Sequence, residues 1–441
     1  MERAAVLRHL FSEIQEFREF YERRWVSFDF DDTSAEDDYC GWVSEAKSEI
    51  INLFESNTSP NKRSRTEKSS SSTLFTIPNL IVTMEQQIWK ELPVDLLEAV
   101  IARLPIATLF RFRLVCRKWN SLLSSTSFAR HFAEVQQTNP WYIVQNRVHR
   151  FDAAKDGAMY DPSSKKWHNL SIPVLRSKIF YIVASAGGLV CLLDINNRHF
   201  YIFNPLINAV KVLPPRSTRV RSRVAVGMVL TANTANGSYK VVLLGCNGDH
   251  EVYDSALDHW SHQGSLPQSI KLPFTLNFRS PTVCIGSTIY FMLSNPDGIL
   301  TYNVATGVWK QYVIPLPLRI TDHTIAECQG KVLLVGLLSK NAATCVCIWE
   351  LQKMTLLWKE VDRMPNISCL EYYGKHVKMT CVGNQGVLML SLRSIRSNRF
   401  ITYDLHEKRW EKLPECTLPL NERKQWIACG TSFYPCPTAR P

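Results

Sequence analysis

Beyond residue 139 the chain repeats one phrase: a tyrosine, then Asp or Asn, and a tryptophan seven positions after the tyrosine. Tyr160 to Trp167, Tyr253 to Trp260, Tyr302 to Trp309 and Tyr403 to Trp410 all follow it. Phe203-Asn204-Pro205 and Trp349-Glu350-Leu351 with Trp358 are divergent copies, which puts successive starts at 160, 203, 253, 302, 349 and 403. A step near 50 residues is the period of β-propeller blades, and β-rich runs such as Trp141 to Val144, Val224 to Val229 and Lys331 to Leu338 fill the spaces. In each unit the Tyr closes one strand, the Asp or Asn turns the chain, and the Trp on the returning strand packs between neighbouring blades. Residues 139 to 441 divide by six into units of about 50, so a six-bladed ring is expected and seven blades would be cramped. Trp426 to Tyr434 also reads as a strand. A ring closes only if one terminal strand pairs in the blade begun by the other end, and Trp141 to Val144 is its expected neighbour.

Ahead of the repeats, residues 86 to 132 switch to helical spacing. Pro93 suits a first helical turn, where a missing N–H costs nothing, and Leu97, Val100, Ile101 and Leu104 follow at i, i+3, i+4 and i+7 as one apolar stripe. Pro105 ends that helix, and Val115, Trp119, Leu122 and Leu123 begin a second stripe with Cys116 beside it. Periodicity alone is served equally by a small subdomain whose side chains pack only on each other. Three short helices, however, cannot bury so many apolar residues, and apolar surface left over points to a partner.

Residues 1 to 25 set Leu7, Leu10, Phe11, Ile14, Phe17 and Tyr21 on one helical face. Such an amphipathic helix either packs on the protein's own surface or serves self-association or partner docking, and the sequence leaves both open. Residues 26 to 83 read as a flexible linker, acidic from Asp29 to Asp38 and then rich in Ser and Thr from Ser56 to Thr73. Lys62-Arg63-Ser64-Arg65 within it is a weak nuclear-import candidate, although so short a basic cluster in a linker is more often simply solvated. The N-terminus lacks a secretory apolar core, and no apolar run reaches the roughly 18 to 20 residues of a membrane span, so no membrane partner is expected. Thirteen cysteines without a CxxC pair indicate reduced thiols, in the nucleus or the cytoplasm. A net charge of +11 raises nucleic acid as a partner, but neither zinc-finger spacing nor an RNP-type motif accompanies it. Acidic protein partners fit the charge at least as well.

Catalytic patterns are missing: no P-loop, GxSxG, HExxH or GxGxxG occurs. Cys345 and Cys347 share one face of an expected strand, yet no second pair stands at ligand spacing, so they read as core filling and neither metal nor cofactor is expected. His259 and His262 flank Trp260 without an assignable role. Arg216, Arg219, Arg221 and Arg223 follow Pro214-Pro215 within eight positions and are candidate target contacts on a loop. A merely soluble basic loop explains them equally well.

Leu92-Pro93, Asp95-Leu96, Leu104-Pro105, Leu109, Arg113, Val115-Cys116, Trp119 and Phe128 stand in the register of an F-box. The later repeats resemble kelch units, although only Gly187-Gly188 supplies a double glycine where others offer Gly286, Gly330 or Gly383. Residues 84 to 441 together resemble the plant F-box/kelch-repeat proteins. Through Asn341 to Pro365 and Trp426 to Gly430 they are similar to the leaf-curling-responsiveness type. The resemblance implies a small all-α F-box over 86–132 followed by an all-β six-bladed kelch-like β-propeller over 139–441. It further implies a non-catalytic substrate-recognition subunit of an SCF-type (Skp-cullin-F-box) ubiquitin ligase, with Leu92, Pro93, Leu96, Leu104, Pro105, Val115, Cys116 and Trp119 docking on a Skp-type adaptor and, through it, on the cullin. The propeller would hold an unidentified target protein for degradation, in leaf or meristem development. Two readings from other classes stand beside it: a copper oxidase resembling galactose oxidase, and a basic nucleic-acid-binding scaffold.

Overall fold

The structure is a computed structural model that describes residues 93–441, apart from 116, 136–139, 147–156, 171, 173–179, 195–198, 217–223, 232–237, 272–273, 278–279, 341, 353, 395–396, 417 and 419–426. The expected N-terminal helix and the linker with its basic cluster lie outside the described residues. A boundary between Gln136 and Gln137 separates two compact units. No helix among the described residues is long and apolar enough to cross a membrane.

Four helices make up the described part of the first unit: α1 (Val94–Ile101), α2 (Ile106–Val115), α3 (Arg117–Leu123) and α4 (Thr126–Glu134). Pro93 stands just outside α1 as its N-cap rather than within the first turn, and its carbonyl accepts from Leu97 N at 3.0 Å. The carbonyl of Pro105 receives Thr108 N and Leu109 N at 2.9 and 3.1 Å, so the residue that prevents α1 from continuing also starts α2. Ser125 caps α4, its hydroxyl oxygen accepting from Phe128 N at 2.9 Å. Ile101, Ile106, Leu109, Leu123, Phe128 and Phe132 are buried, and each such burial contributes about 1.5–3 kcal/mol. α1 packs on α4 and α2 on α3.

Among the described residues of the second unit, twenty-five strands assemble into six antiparallel sheets, each one blade. The first blade holds β1 (Trp141–Asn146), β2 (Gly157–Asp161) and β3 (Lys166–Leu170); the second holds β4 (Phe180–Ala186), β5 (Leu189–Asp194), β6 (Phe200–Asn204) and β7 (Ala209–Val212). β8 (Val224–Leu230), β9 (Tyr239–Gly245), β10 (Asp249–Asp254) and β11 (His259–Ser265) form the third. In the fourth, β12 (Thr275–Leu276) and β13 (Val283–Ile285) share one edge of β14 (Thr288–Asn295), with β15 (Asp297–Asn303) and β16 (Val308–Val313) following. β17 (Ile320–Cys328), β18 (Lys331–Lys340), β19 (Ala343–Gln352) and β20 (Leu357–Arg363) make the fifth, and β21 (Lys378–Asn384), β22 (Val387–Arg393), β23 (Asn398–Asp404) and β24 (Arg409–Lys412) the sixth. β25 (Ile427–Phe433) then returns to the first blade as its innermost strand, with Trp141 opposite Phe433 and Tyr142 opposite Ser432. The expected closing pair is therefore the observed one, and the last strand lies between its neighbours β21 and β4.

The repeated phrase is the hairpin between the third and fourth strands of each blade. Tyr160 faces Trp167, Tyr253 faces Trp260, Tyr302 faces Trp309 and Tyr403 faces Trp410 directly across it. Phe203 faces Val210 in the second blade. In the fifth, Leu351 rather than Trp349 occupies the tyrosine slot, opposite Trp358, so the phrase begins two residues later than the aromatic pattern suggested. The Asp or Asn after the slot accepts backbone N–H groups from the turn: Asp254 from Ala256, Asn303 from Ala305 and Thr306, Asp404 from His406 and Glu407. The fifth residue after the slot turns left-handed in all six blades, at Lys165, Asn208, Asp258, Gly307, Leu356 and Lys408, and only Gly307 is free of the Cβ penalty. Three of the four full-phrase tryptophans also hydrogen-bond to the blade before their own. Trp260 Nε1 donates to Pro214 O at 2.8 Å, Trp309 Nε1 to His250 Nε2 at 3.3 Å and, across the ring closure, Trp167 Nε1 to Pro414 O at 3.0 Å.

Candidate functional site

Helix α1 inverts the usual rule of burial. Val94 and Leu96 are 63% and 51% exposed, whereas the carboxylate-bearing Glu98 is 4% exposed. Buried carboxylates need partners, and Glu98 Oε1 accepts from Ser125 Oγ at 3.1 Å while Oε2 lies 3.8 Å from His131 Nε2. Because Ser125 is at the same time the cap of α4, Glu98 locks the start of α4 onto α1. Two aliphatic side chains are thereby left facing outward on a helix held rigidly from behind.

Of the other expected adaptor contacts, Pro93 and Pro105 are exposed, and Leu104 and Trp119 are half-buried. Leu92, Cys116 and the side chain of Val115 lie outside the described residues. Arg113 Nε donates to Asn120 Oδ1 at 3.0 Å and so braces α2 against α3. Glu98 and Ser125 were not singled out by periodicity. The available signal was position, since Glu98 stands three residues before the buried Ile101 and shares its side of the helix.

Antiparallel alternation sends the blade-to-blade connections and the second-to-third strand turns to one face of the propeller, and the phrase hairpins to the other. Arg216 belongs to the first of these faces; its guanidinium lies 5.9 Å over the Phe200 ring and is half-buried, while Arg219, Arg221 and Arg223 lie outside the described residues. The same face carries an insert after the fifth blade: a short helix α5 (Asn366–Cys369) and a 3-10 turn (Leu370–Tyr372). Ile367, Leu370 and Tyr373 protrude from it, and Leu318 is exposed in the connection from the fourth blade. These segments adjoin, because Gly374 N donates to Ala342 O at 2.8 Å and Ser339 N to Arg319 O at 3.4 Å across one β18–β19 turn.

Near the propeller axis a cavity of about 420 Å³ is lined by residues of the six innermost strands and their flanks. Its polar groups are largely engaged in stitching blades together. Ser185 Oγ donates to Ser432 O at 2.7 Å, Thr282 Oγ1 to Val226 O at 2.6 Å and Tyr434 Oη to Asn384 Oδ1 at 2.6 Å. Burial pushes the Glu327 carboxyl up, although Gly330 N donates to it at 2.8 Å. Among the described residues no three His, Cys, Asp or Glu side chains gather as a metal would need.

Comparison with known families places these two units. The profile of the F-box domain matches residues 89–131, and that of the β-propeller of F-box proteins like At3g26010 matches residues 143–414. F-box only protein 6 of Arabidopsis thaliana is 51% identical over 95% of this chain and 90% of its own length. Protein UNUSUAL FLORAL ORGANS of the same plant is 27% identical over 76% of this chain and 80% of its own length, and an Arabidopsis F-box/kelch-repeat protein is 26% identical over 74% and 84%.

Proposed function

Since the chain belongs to the F-box proteins that carry a six-bladed β-propeller, we propose that it is the substrate-recognition subunit of an SCF-type ubiquitin ligase. The observation that carries this reading is the inverted burial of α1, where Val94 and Leu96 face outward while Glu98 is spent on holding the helix in place. That face docks on a Skp-type adaptor and, through it, on a cullin. The propeller captures a target protein on its connection face, where Leu318, Ile367, Leu370 and Tyr373 offer apolar anchors. No residue of the chain acts on the reacting bond: the subunit raises the local concentration of target lysines near the ligase's ubiquitin-loaded enzyme. A role in leaf or meristem development, in the nucleus or cytoplasm, is supported by the resemblance to the leaf-curling-responsiveness type.

The test is capture of a purified plant Skp-type adaptor by the full chain. Val94→Asp combined with Leu96→Asp removes the outward apolar pair without touching the core, and is expected to weaken capture at least about thirtyfold. Unchanged capture with an unchanged circular dichroism spectrum sinks the proposal. Overproduced residues 137–441, lacking the adaptor link, should lengthen the lifetime of target proteins; shortened lifetimes would contradict the receptor role.

A further inference from the structure

Cys347 fills the core, but Cys345 beside it is only half-buried. Cys345 lies at the end of β19 that reaches past Arg363, where β20 stops and the chain crosses over toward α5. That crossing brings Cys369 down onto the same spot: Cys345 Sγ and Cys369 Sγ both donate to the Met364 carbonyl, each at 3.5 Å. The two thiols thus share one acceptor, one on β19 and the other on α5 beyond the short crossover that follows β20. Both are half-buried and within reach of a small solute, whereas Cys347, two residues along β19, is fully buried.

We propose that Cys345 and Cys369 form a peroxide-reactive site that closes into a disulfide between β19 and the α5 insert. In the first step the Cys345 thiolate attacks one oxygen of hydrogen peroxide, the O–O bond breaks, a sulfenic acid forms, and hydroxide leaves to become water. Cys345 sulfur is oxidised and peroxide is reduced. In the second, Cys369 loses its proton and its sulfur attacks the Cys345 sulfur; the S–O bond breaks, the S–S bond forms and a second water leaves. The surroundings favour Cys345 as the attacking group: the neighbouring Cys347 thiol first, then Cys369 and the Arg363 guanidinium, outweigh burial and draw its thiol below the ordinary range. Cys369 is held up by burial and remains the thiol that resolves. Closure would pin the insert that presents Ile367, Leu370 and Tyr373. This site is independent of whether the chain serves a ligase.

The experiment treats the reduced full chain with a small excess of hydrogen peroxide, alkylates the remaining thiols and maps the peptides by mass spectrometry. A Cys345–Cys369 crosslink is expected to appear about tenfold faster than any oxidation of Cys246, the exposed cysteine elsewhere on the propeller that serves as internal reference. Cys369→Ser should leave a Cys345 sulfenic acid that dimedone traps, and Cys345→Ser should leave Cys369 fully alkylated. Oxidation of Cys246 first, or a crosslink of Cys345 to Cys347 instead, overturns the proposal. The wild-type map decides the matter even where a variant folds poorly.

Discussion

Asn204 shows how much one side chain settles. It is fully buried, its amide nitrogen donates to Cys436 O and Ala439 O, both at 2.8 Å, and its oxygen accepts from Leu206 N at 3.0 Å. The Asp or Asn of the full phrases serves the turn and its own blade, as where Asn303 Nδ2 donates to Thr288 Oγ1 and Lys240 pairs with Asp254; Asn204, in a divergent copy, also fastens the C-terminal segment to the second blade. Asn204→Ala orphans two carbonyls and an N–H, and should cost about 2–4 kcal/mol in chemical denaturation. Asn204→Asp keeps the turn but sets a carboxylate against two carbonyl oxygens, so it should be no milder. Lys408 is the opposite case. It is exposed and left-handed, with φ 48°, and Lys408→Gly should raise stability by about 0.5–1 kcal/mol in the same assay.

Blades were legible from the sequence because their signature is local: slot, turn acceptor and returning tryptophan fit within eight residues. The fifth blade was misread by two positions because Trp349, itself buried, imitates the slot that Leu351 fills. The burial of Glu98, the stacking of Arg216 on Phe200 and the meeting of Cys345 with Cys369 were not legible. Each depends on segments brought together by the fold, which no period encodes. The joints between blades carry two further expectations. Gly383 passes so close to the fifth blade that an added Cβ would stand 2.1 Å from Glu327 O; Gly383→Ala should therefore lower the melting temperature. At the third joint, His250 accepts the Trp309 N–H, and burial followed by the nearby His262 holds its imidazole below the usual value. A histidine so depressed binds fewer protons folded than unfolded, so its contribution is complete above about pH 6.5 and fades as the pH falls below that. The melting temperature should drop between pH 7.5 and 5.5, with a shallower slope in His250→Gln; an equal slope in both would show the joint is not responsible. His168 and His323, likewise lowered by burial, add to the slope in the same direction.

At the scale of the molecule, the propeller is a ring fastened at its axis. β25 supplies the innermost strand of the first blade, burying Ile427, Ala428, Cys429 and Phe433, and the residues after it reach over to the second blade. Deleting residues 434–441 should lower the melting temperature while leaving one cooperative transition. Deleting 427–441 should abolish that transition, and a sharp melt in the shorter chain would disprove closure at the axis. The same fastening gives biosynthesis a schedule. At about 5–20 residues per second, a ribosome needs roughly 15–60 s to travel from β1 to β25. Throughout that time the inner edge of β1 offers unsatisfied N–H and C=O groups to any strand nearby, including those of chains on the same messenger. The second to sixth blades can form as their own strands are made, but the first waits for β25, so the vulnerable interval of this protein's synthesis runs from β1 to β25.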